Sequence, residues 1–340
     1  MANRFIDSVQ HYSTVNIAQK YTFNSGATVV PASSPRGTAT LAFSNWSHPV
    51  GLTIDDQATW IVGFRIKFSG GLPLNVPRLI WNLFDGLAGS SQLQLILTTD
   101  SRLAIRAGDN TTILATAPAN ALQNDVWYFV EWKSTIDSVA GESEVHLNNS
   151  SIGLSFSGDT QNTANPSASQ HRIIDDLNAS VAINICDVYI NDGTGGADDD
   201  YWNDTEIDYL APDENGPVVQ YTPVGSAINF ENVDELTPNT ANYNESNTVG
   251  NRDLYGFPTI SGTPTIKCIQ SVGYMSKDDG NDRRVQLCTR SGGVDYDGTI
   301  QDVPASSTYL LQRWPDDPDT SADWTAAGAN AAFFGALVEN

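Results

Sequence analysis

The sequence predicts an all-β chain, with an N-terminal β-sandwich over residues 1–212 and a smaller C-terminal β-sandwich over residues 213–340. Three observations carry this expectation. Trp60, Val62, Phe64, Ile66 and Phe68 fall on one side of an alternating run, with Gly63, Arg65 and Lys67 on the other, which is the pattern of a half-buried antiparallel strand. A second aromatic run, residues 79–85, follows a Gly/Pro-rich turn, and two long aromatic strands need a second sheet over their inner face. No stretch with helical periodicity and caps occurs before Pro212.

The remaining elements follow in order. Residues 39–43 make a short strand, and residues 93–98 pair with 103–106 across Asp100 and Ser101. Residues 127–133 face 144–147 through a loop at 137–141, which reads as a hairpin, and 151–156 continue it after Asn148 and Asn149. A polar loop rich in Asn, Thr and Ser, residues 158–169, precedes the strand-like run 181–190. An acidic, glycine-rich loop follows at 192–200, then a short strand at 206–210. Residues 211–217, with two prolines and a glycine, have the punctuation of a domain boundary. The C-terminal half is expected to place strands at 266–275, 283–290, 309–314 and 332–338, with one helical turn at 325–330.

Composition narrows the function. The 40 acidic and 17 basic residues give a formal net charge of -23, which repels nucleic-acid phosphates, and no basic cluster offsets it. No apolar run is long enough to span a bilayer, and the first residues lack the charged-then-apolar pattern of a signal peptide. Three cysteines, Cys186, Cys268 and Cys288, cannot form a framework of staples. Cys268 and Cys288 lie on strand-like runs, where buried free thiols are expected.

Several short motifs, taken in order, resemble a known family. They are Arg4-Phe5-Ile6-Asp7-Ser8, Ala18-Gln19-Lys20-Tyr21, Arg36-Gly37, Thr59-Trp60-Ile61-Val62-Gly63-Phe64, Val126-Trp127-Tyr128, residues 159–165 and residues 187–193. Residues 248–253, 290–299, Asp317-Pro318 and Ala322-Asp323-Trp324-Thr325 extend the set through the C-terminal half. Together they resemble the concanavalin A-like (laminin-G-like) jelly-roll proteins of tailed bacteriophage and prophage virions. The resemblance implies a non-enzymatic virion structural protein, made in the host cytoplasm: a fibre, decoration protein or adhesin. It would attach to other virion proteins and bind host-surface carbohydrate. A closed, symmetric homo-oligomer is expected, taken as a trimer. The alternatives are a polysaccharide depolymerase on the virion and a cement protein without a ligand.

Candidate chemistry is sparse. Laminarinase-type glycoside hydrolases, which share the concanavalin-like sandwich, carry Glu-x-Asp-x-Glu on one strand. Here Glu206 and Asp208 fill the first two positions, but Leu210 stands in the third, and a retaining glycosidase needs the second carboxylate. His11, His48, His146 and His171 lack metal-site spacing. No catalytic residue is therefore expected, and no cofactor other than calcium. For calcium the candidates are Asp192, Asp198, Asp199 and Asp200, which gather hard oxygen ligands in one glycine-rich loop. For stacking against a sugar ring the candidates are Trp46, Tyr201, Trp202 and Trp314, aromatic residues in or beside loop-like sequence.

Overall fold

The computed structural model describes residues 3–43, 49–118, 121–174, 181–194 and 200–340. The chain divides into two compact units between Asp208 and Tyr209, four residues before the boundary drawn from sequence. Each unit is built on antiparallel sheets.

In the first unit the alternating run becomes the strand Thr59–Ser69, near the middle of a sheet we call the front sheet. Trp127–Thr135, Gly141–Leu147 and Ser150–Gly158 extend it on one side, and Ala182–Asp192, Thr40–Phe43 and Thr28–Val30 on the other. Asn3–Asp7 pairs with the second half of Ala182–Asp192. The back sheet runs Ile113–Thr116, Leu103–Ala107, Ser90–Leu97, Arg78–Asp85, Ala168–Ile173, Val50–Gln57 and Phe23–Asn24.

The two sheets close on an aromatic core. Trp60, Val62, Phe64, Ile66 and Phe68 are all buried on the inner face, and Phe64 stacks on Trp81 of the back sheet with centroids 5.1 Å apart. Trp60 donates to the Ala168 carbonyl at 3.0 Å, and Trp81 donates to His171 Nδ1 at 3.2 Å. His171 lies against both indoles. Burial pushes its pKa down to about 3, so the ring is a neutral core acceptor.

The Thr59–Ser69 strand departs from the half-buried expectation at one end. Ile61 and Gly63, on the outer face, are buried too. The Tyr189 ring lies directly on Gly63, where a Cβ would stand 2.0 Å from Tyr189 Cε1. Only a glycine permits that approach. A second difference is local helix: a 3-10 turn at Thr14–Asn16 leads into one α-helical turn, Ile17–Lys20.

The second unit has a five-stranded sheet ordered Glu214–Val219, Arg252–Gly256, Phe333–Val338, Arg284–Ser291 and Val294–Asp302, with a two-stranded ribbon of Ile269–Met275 and Thr308–Trp314. Leu287 and Ala336 of the sheet pack with Leu310 of the ribbon. The buried Asp253 carboxylate accepts from the Gln220 and Tyr221 amides, the Asn229 amide and the Tyr255 hydroxyl, at 2.6–3.0 Å. Gly216 and Pro217, read from sequence as boundary punctuation, sit inside the edge strand Glu214–Val219. Its register is irregular between Asn215 and Val219, the kind of place where a strand tolerates proline. The helical turn expected at 325–330 forms as Ala326–Ala331, with the Thr325 hydroxyl accepting from the Gly328 amide. Cys186 and Cys288 are buried free thiols, whereas the Cys268 thiol is half-buried, donates to the Ile269 carbonyl at 3.4 Å and precedes its strand.

Candidate functional site

Each sheet of the first unit carries polar side chains on its outer face, and the two faces use them differently. On the front sheet they fasten the segment that returns after residue 200. Glu131 is fully buried, and its Oε1 accepts from the Tyr189 hydroxyl at 2.5 Å and from the Asn203 amide at 2.8 Å. Burial raises the Glu131 pKa, opposed by these same hydrogen bonds. Trp202 stacks on Tyr189 with centroids 4.7 Å apart. Beside them the buried Asp187 joins Arg36 at 2.7 Å and Arg65 at 2.9 Å and accepts from the Ile207 amide at 3.1 Å.

This arrangement corrects the expected strand at 206–210. Residues 201–213 form no strand; the Asn203 and Ile207 amides donate to the Glu131 and Asp187 side chains instead of to a neighbouring strand. Arg36 pairs with Asp208 and lies 3.6 Å from Glu206. Arg65 holds Asp204 at 2.6 Å. The two carboxylates that raised the glycosidase question thus share a guanidinium, and both side chains are more than half exposed.

The aromatic candidates also separate. Trp202 and Trp314 are 5% and 7% exposed, so neither offers a ring face to a ligand. Trp202 is covered by Tyr189. Trp314 ends a strand, packs with Trp324 and Phe334, and donates to Ser271 at 2.9 Å. Tyr201 is half-buried, stacked on His146 at 3.9 Å, and its hydroxyl donates to the Glu144 carbonyl. Trp46 lies outside the described residues.

Of the calcium candidates, Asp192 ends the strand Ala182–Asp192 with no side-chain exposure. It is paired with Arg4, and it accepts from the Thr194 amide and hydroxyl. Asp200 lies 3.3 Å from Lys133. Asp198 and Asp199 lie outside the described residues. Among the described residues no three His, Cys, Asp or Glu side chains converge as a metal site would require.

The outer face of the back sheet carries a different feature, a cleft of about 330 Å³. Its floor comes from two paired strands, with Leu79, Asn82 and Phe84 on one and Ser91 and Gln94 on the other. Gly89 and Ser90 form one rim, and Gly108, Asn110 and Asn162 the other. Gln94, 1% exposed, donates to Ser91 Oγ at 3.0 Å and to Asn110 Oδ1 at 2.7 Å and accepts from Arg106 Nε at 2.7 Å. Asn82 stands between Gln94 and Arg172 in register, and the Arg172 guanidinium lies 3.5 Å from the centroid of the Phe84 ring.

Two buried side chains hold the Asn162 rim in place. The Gln92 amide nitrogen donates to Thr163 Oγ1 at 2.8 Å and to the carbonyls of Asn165 and Ser167, while its oxygen accepts from the Asn162 and Thr163 amides. Asp85 accepts from Thr163 Oγ1 at 2.6 Å, from Asn165, and from the Leu87 and Ala88 amides. Burial would raise the Asp85 pKa, but those four hydrogen bonds outweigh it and hold the carboxyl below its usual range. Asn162 itself donates to the Ser91 carbonyl at 2.9 Å. A Cβ on Gly108 would meet that same carbonyl at 2.0 Å, so glycine is required there.

The cleft lining thus combines amide and hydroxyl side chains and glycine backbone, which donate and accept at once, with the apolar Leu79 and Phe84. Among the described residues no carboxylate, imidazole, phenol or thiol lines it. That lining suits a polyhydroxylated surface, and none of its described side chains is a general acid or base.

No family model matches the chain, and no curated protein does. Among solved structures the chain is similar to the cellulose induced protein Cip1, at 14% identity over 48% of this chain and 84% of that one, with a TM-score of 0.39. Alginate lyase Aly36B aligns at 10% identity over 53% of this chain and 91% of its own, with a TM-score of 0.37. The binding domain of Paraclostridial Mosquitocidal Protein 1 aligns at 13% identity over 50% of this chain and 43% of that one, with a TM-score of 0.36. At these scores none of them assigns an activity to this chain.

The cleft residues were missed by sequence reasoning, although a signal exists. Gln92 and Gln94 alternate with Leu93 and Leu95, marking a polar outer face on a strand that is otherwise apolar from Leu93 to Leu97. The polar loop at 158–169 is the other half of the signal.

Proposed function

We propose that this chain is a non-enzymatic bacteriophage virion protein, a fibre, decoration protein or adhesin, that attaches to other virion proteins and holds host-surface glycan in the back-sheet cleft. The observation that carries the binding half is the chemistry of the cleft wall. Ser91, Asn110 and Asn162 bring hydroxyl and amide groups to the lining, Gln94 braces Ser91 and Asn110 from beneath, and no ionisable acid or base stands among them. A glycosidase requires two carboxyl groups about 5–9.5 Å apart across the scissile bond, and the described residues of the cleft lining provide none. The virion half rests on the ordered motifs of the sequence, and a trimer is the oligomer this reading expects.

The test has two arms. Mass spectrometry of purified phage particles should find the chain as a stoichiometric component, and its absence from particles would refute the virion role. Incubating the full chain with host-surface polysaccharides should give saturable binding without release of reducing ends. Hydrolysis would establish the depolymerase instead, and binding to no glycan would leave a cement protein.

A further inference from the structure

The N-terminal segment contains a sealed cluster of reactive side chains that the cleft does not use. Asp7 ends the strand Asn3–Asp7, and Lys20 ends the single helical turn Ile17–Lys20. Both side chains have no solvent exposure, and Lys20 Nζ lies 2.9 Å from Asp7 Oδ1. On the other carboxylate oxygen, Oδ2, two phenols converge: Tyr12 donates at 2.5 Å and Tyr21 at 2.6 Å. His11 Nε2 stands 2.7 Å from Lys20 Nζ. The surroundings are apolar and aromatic, with Nζ 5.6 Å from the centroids of the Phe5 and Tyr12 rings.

An amine, a carboxyl group, a proton acceptor on the amine and two donors on one carboxyl oxygen are the parts that amide formation requires. We propose that Asp7 and Lys20 join through an isopeptide bond in the folded chain, Lys20 Nζ to Asp7 Cγ, with loss of one water. The steps balance within the cluster. The ammonium passes one proton along its hydrogen bond to Asp7 Oδ1, leaving a neutral amine and a neutral acid. Nζ then attacks Cγ and gives a second proton to His11 Nε2, while Tyr12 and Tyr21 hold the negative charge that develops on Oδ2. The imidazolium returns that proton to the Oδ1 hydroxyl, the Cγ–Oδ1 bond breaks, water leaves, and the carbonyl re-forms at Oδ2. No oxidant or outside reagent is needed.

At Asp7 burial is outweighed by Lys20, His11 and the two phenols, which hold the carboxyl below its usual range and make its protonation the uphill step, whereas the other groups favour the course. Burial lowers the Lys20 pKa, which brings the neutral amine within reach. Burial, reinforced by the neighbouring ammonium, lowers that of His11 to about 3, so the ring is an unprotonated acceptor. Burial and the Asp7 charge raise both phenols well above their usual range, so they remain donors. A sealed ion pair pays for desolvation on both partners, whereas the amide carries no charge. The bond would also close a covalent loop from residue 7 to residue 20 and tie the helical turn to the strand.

The decisive measurement is the intact mass of the purified full chain under denaturing conditions. The expected mass is lower than that of the sequence by one water. Trypsin should then leave residues 5–36 as one peptide with the same deficit, because an acylated Lys20 is not cleaved. Lys20→Met and Asp7→Ala should each restore the full mass. A wild-type chain of full sequence mass, with cleavage after Lys20, overturns the proposal. So does a water deficit that lies outside residues 5–36 or that persists in Lys20→Met.

Discussion

The Tyr189 hydroxyl and the Glu131 carboxylate meet at 2.5 Å on the outer face of the front sheet, reaching across the strand that carries Gly63. That one hydrogen bond explains why Gly63 is glycine and why Trp202 is buried. It also explains how residues 201–208 lie against the sheet without forming a strand. Tyr189 can reach Glu131 only by lying over a residue with no side chain, and its ring then becomes the platform for Trp202.

Gly63→Ala tests this directly. The new methyl group would stand 2.0 Å from Tyr189 Cε1, so the ring must move off the sheet. The expected cost is about 1–3 kcal/mol by chemical denaturation. A red shift in Trp202 emission should accompany it. Unchanged stability and emission would show that Tyr189 does not lock this face.

Glu131→Gln tests the charge. Burial raises the Glu131 pKa above the ordinary value of a glutamate, so between the unfolded and folded values the folded state binds more protons than the unfolded state. The contribution of this residue to stability therefore falls as pH rises through that window and is flat above it. Glutamine keeps an oxygen for Tyr189 and Asn203 and removes the charge. The variant should match the wild type at acid pH and exceed it in melting temperature near neutrality. A variant less stable than the wild type at every pH would contradict this.

Gln92→Leu should free the Asn162 rim while sparing the core, because the hydrogen bonds of the Gln92 side chain go to residues 162–167. Leaving the Asn162 and Thr163 amides without their acceptor should cost about 1–3 kcal/mol locally. Hydrogen exchange should accelerate at those two amides and remain slow in the Thr59–Ser69 strand.

Trp202→Ala and Trp314→Ala should each cost about 3–5 kcal/mol in the unit that contains them, as expected of buried indoles. Glycan affinity measured on the still-folded fraction should not change. Loss of affinity at full stability would return these residues to the role that the sequence suggested.

The contrast between these residues shows which parts of the chain could be read in advance. The inner row from Trp60 to Phe68 was legible because a strand writes burial into period two, and all five side chains are buried as expected. Trp202 was not, because its partner Tyr189 is set by a long-range contact that leaves no local periodicity. Asn203, next to it, takes a positive φ of 63°, which ends any regular pattern. The cleft was half legible. Gln92 and Gln94 mark a polar strand face, but such a face normally means solvent. Only the folding of residues 162–167 over Gln92 turns it into a walled site.

On the proposed function, the amide-lined cleft holds sugar without cleaving it. Its most direct test is titration of the full chain with the best-binding host glycan, comparing wild type with Gln94→Leu, whose side chain touches the cleft floor and rim. The account predicts saturable binding by the wild type, at least tenfold weaker binding by the variant for a loss of roughly 1.4 kcal/mol or more, and an intact ligand in both samples. Equal affinity in the two proteins, or a shortened ligand after incubation with either, would contradict it.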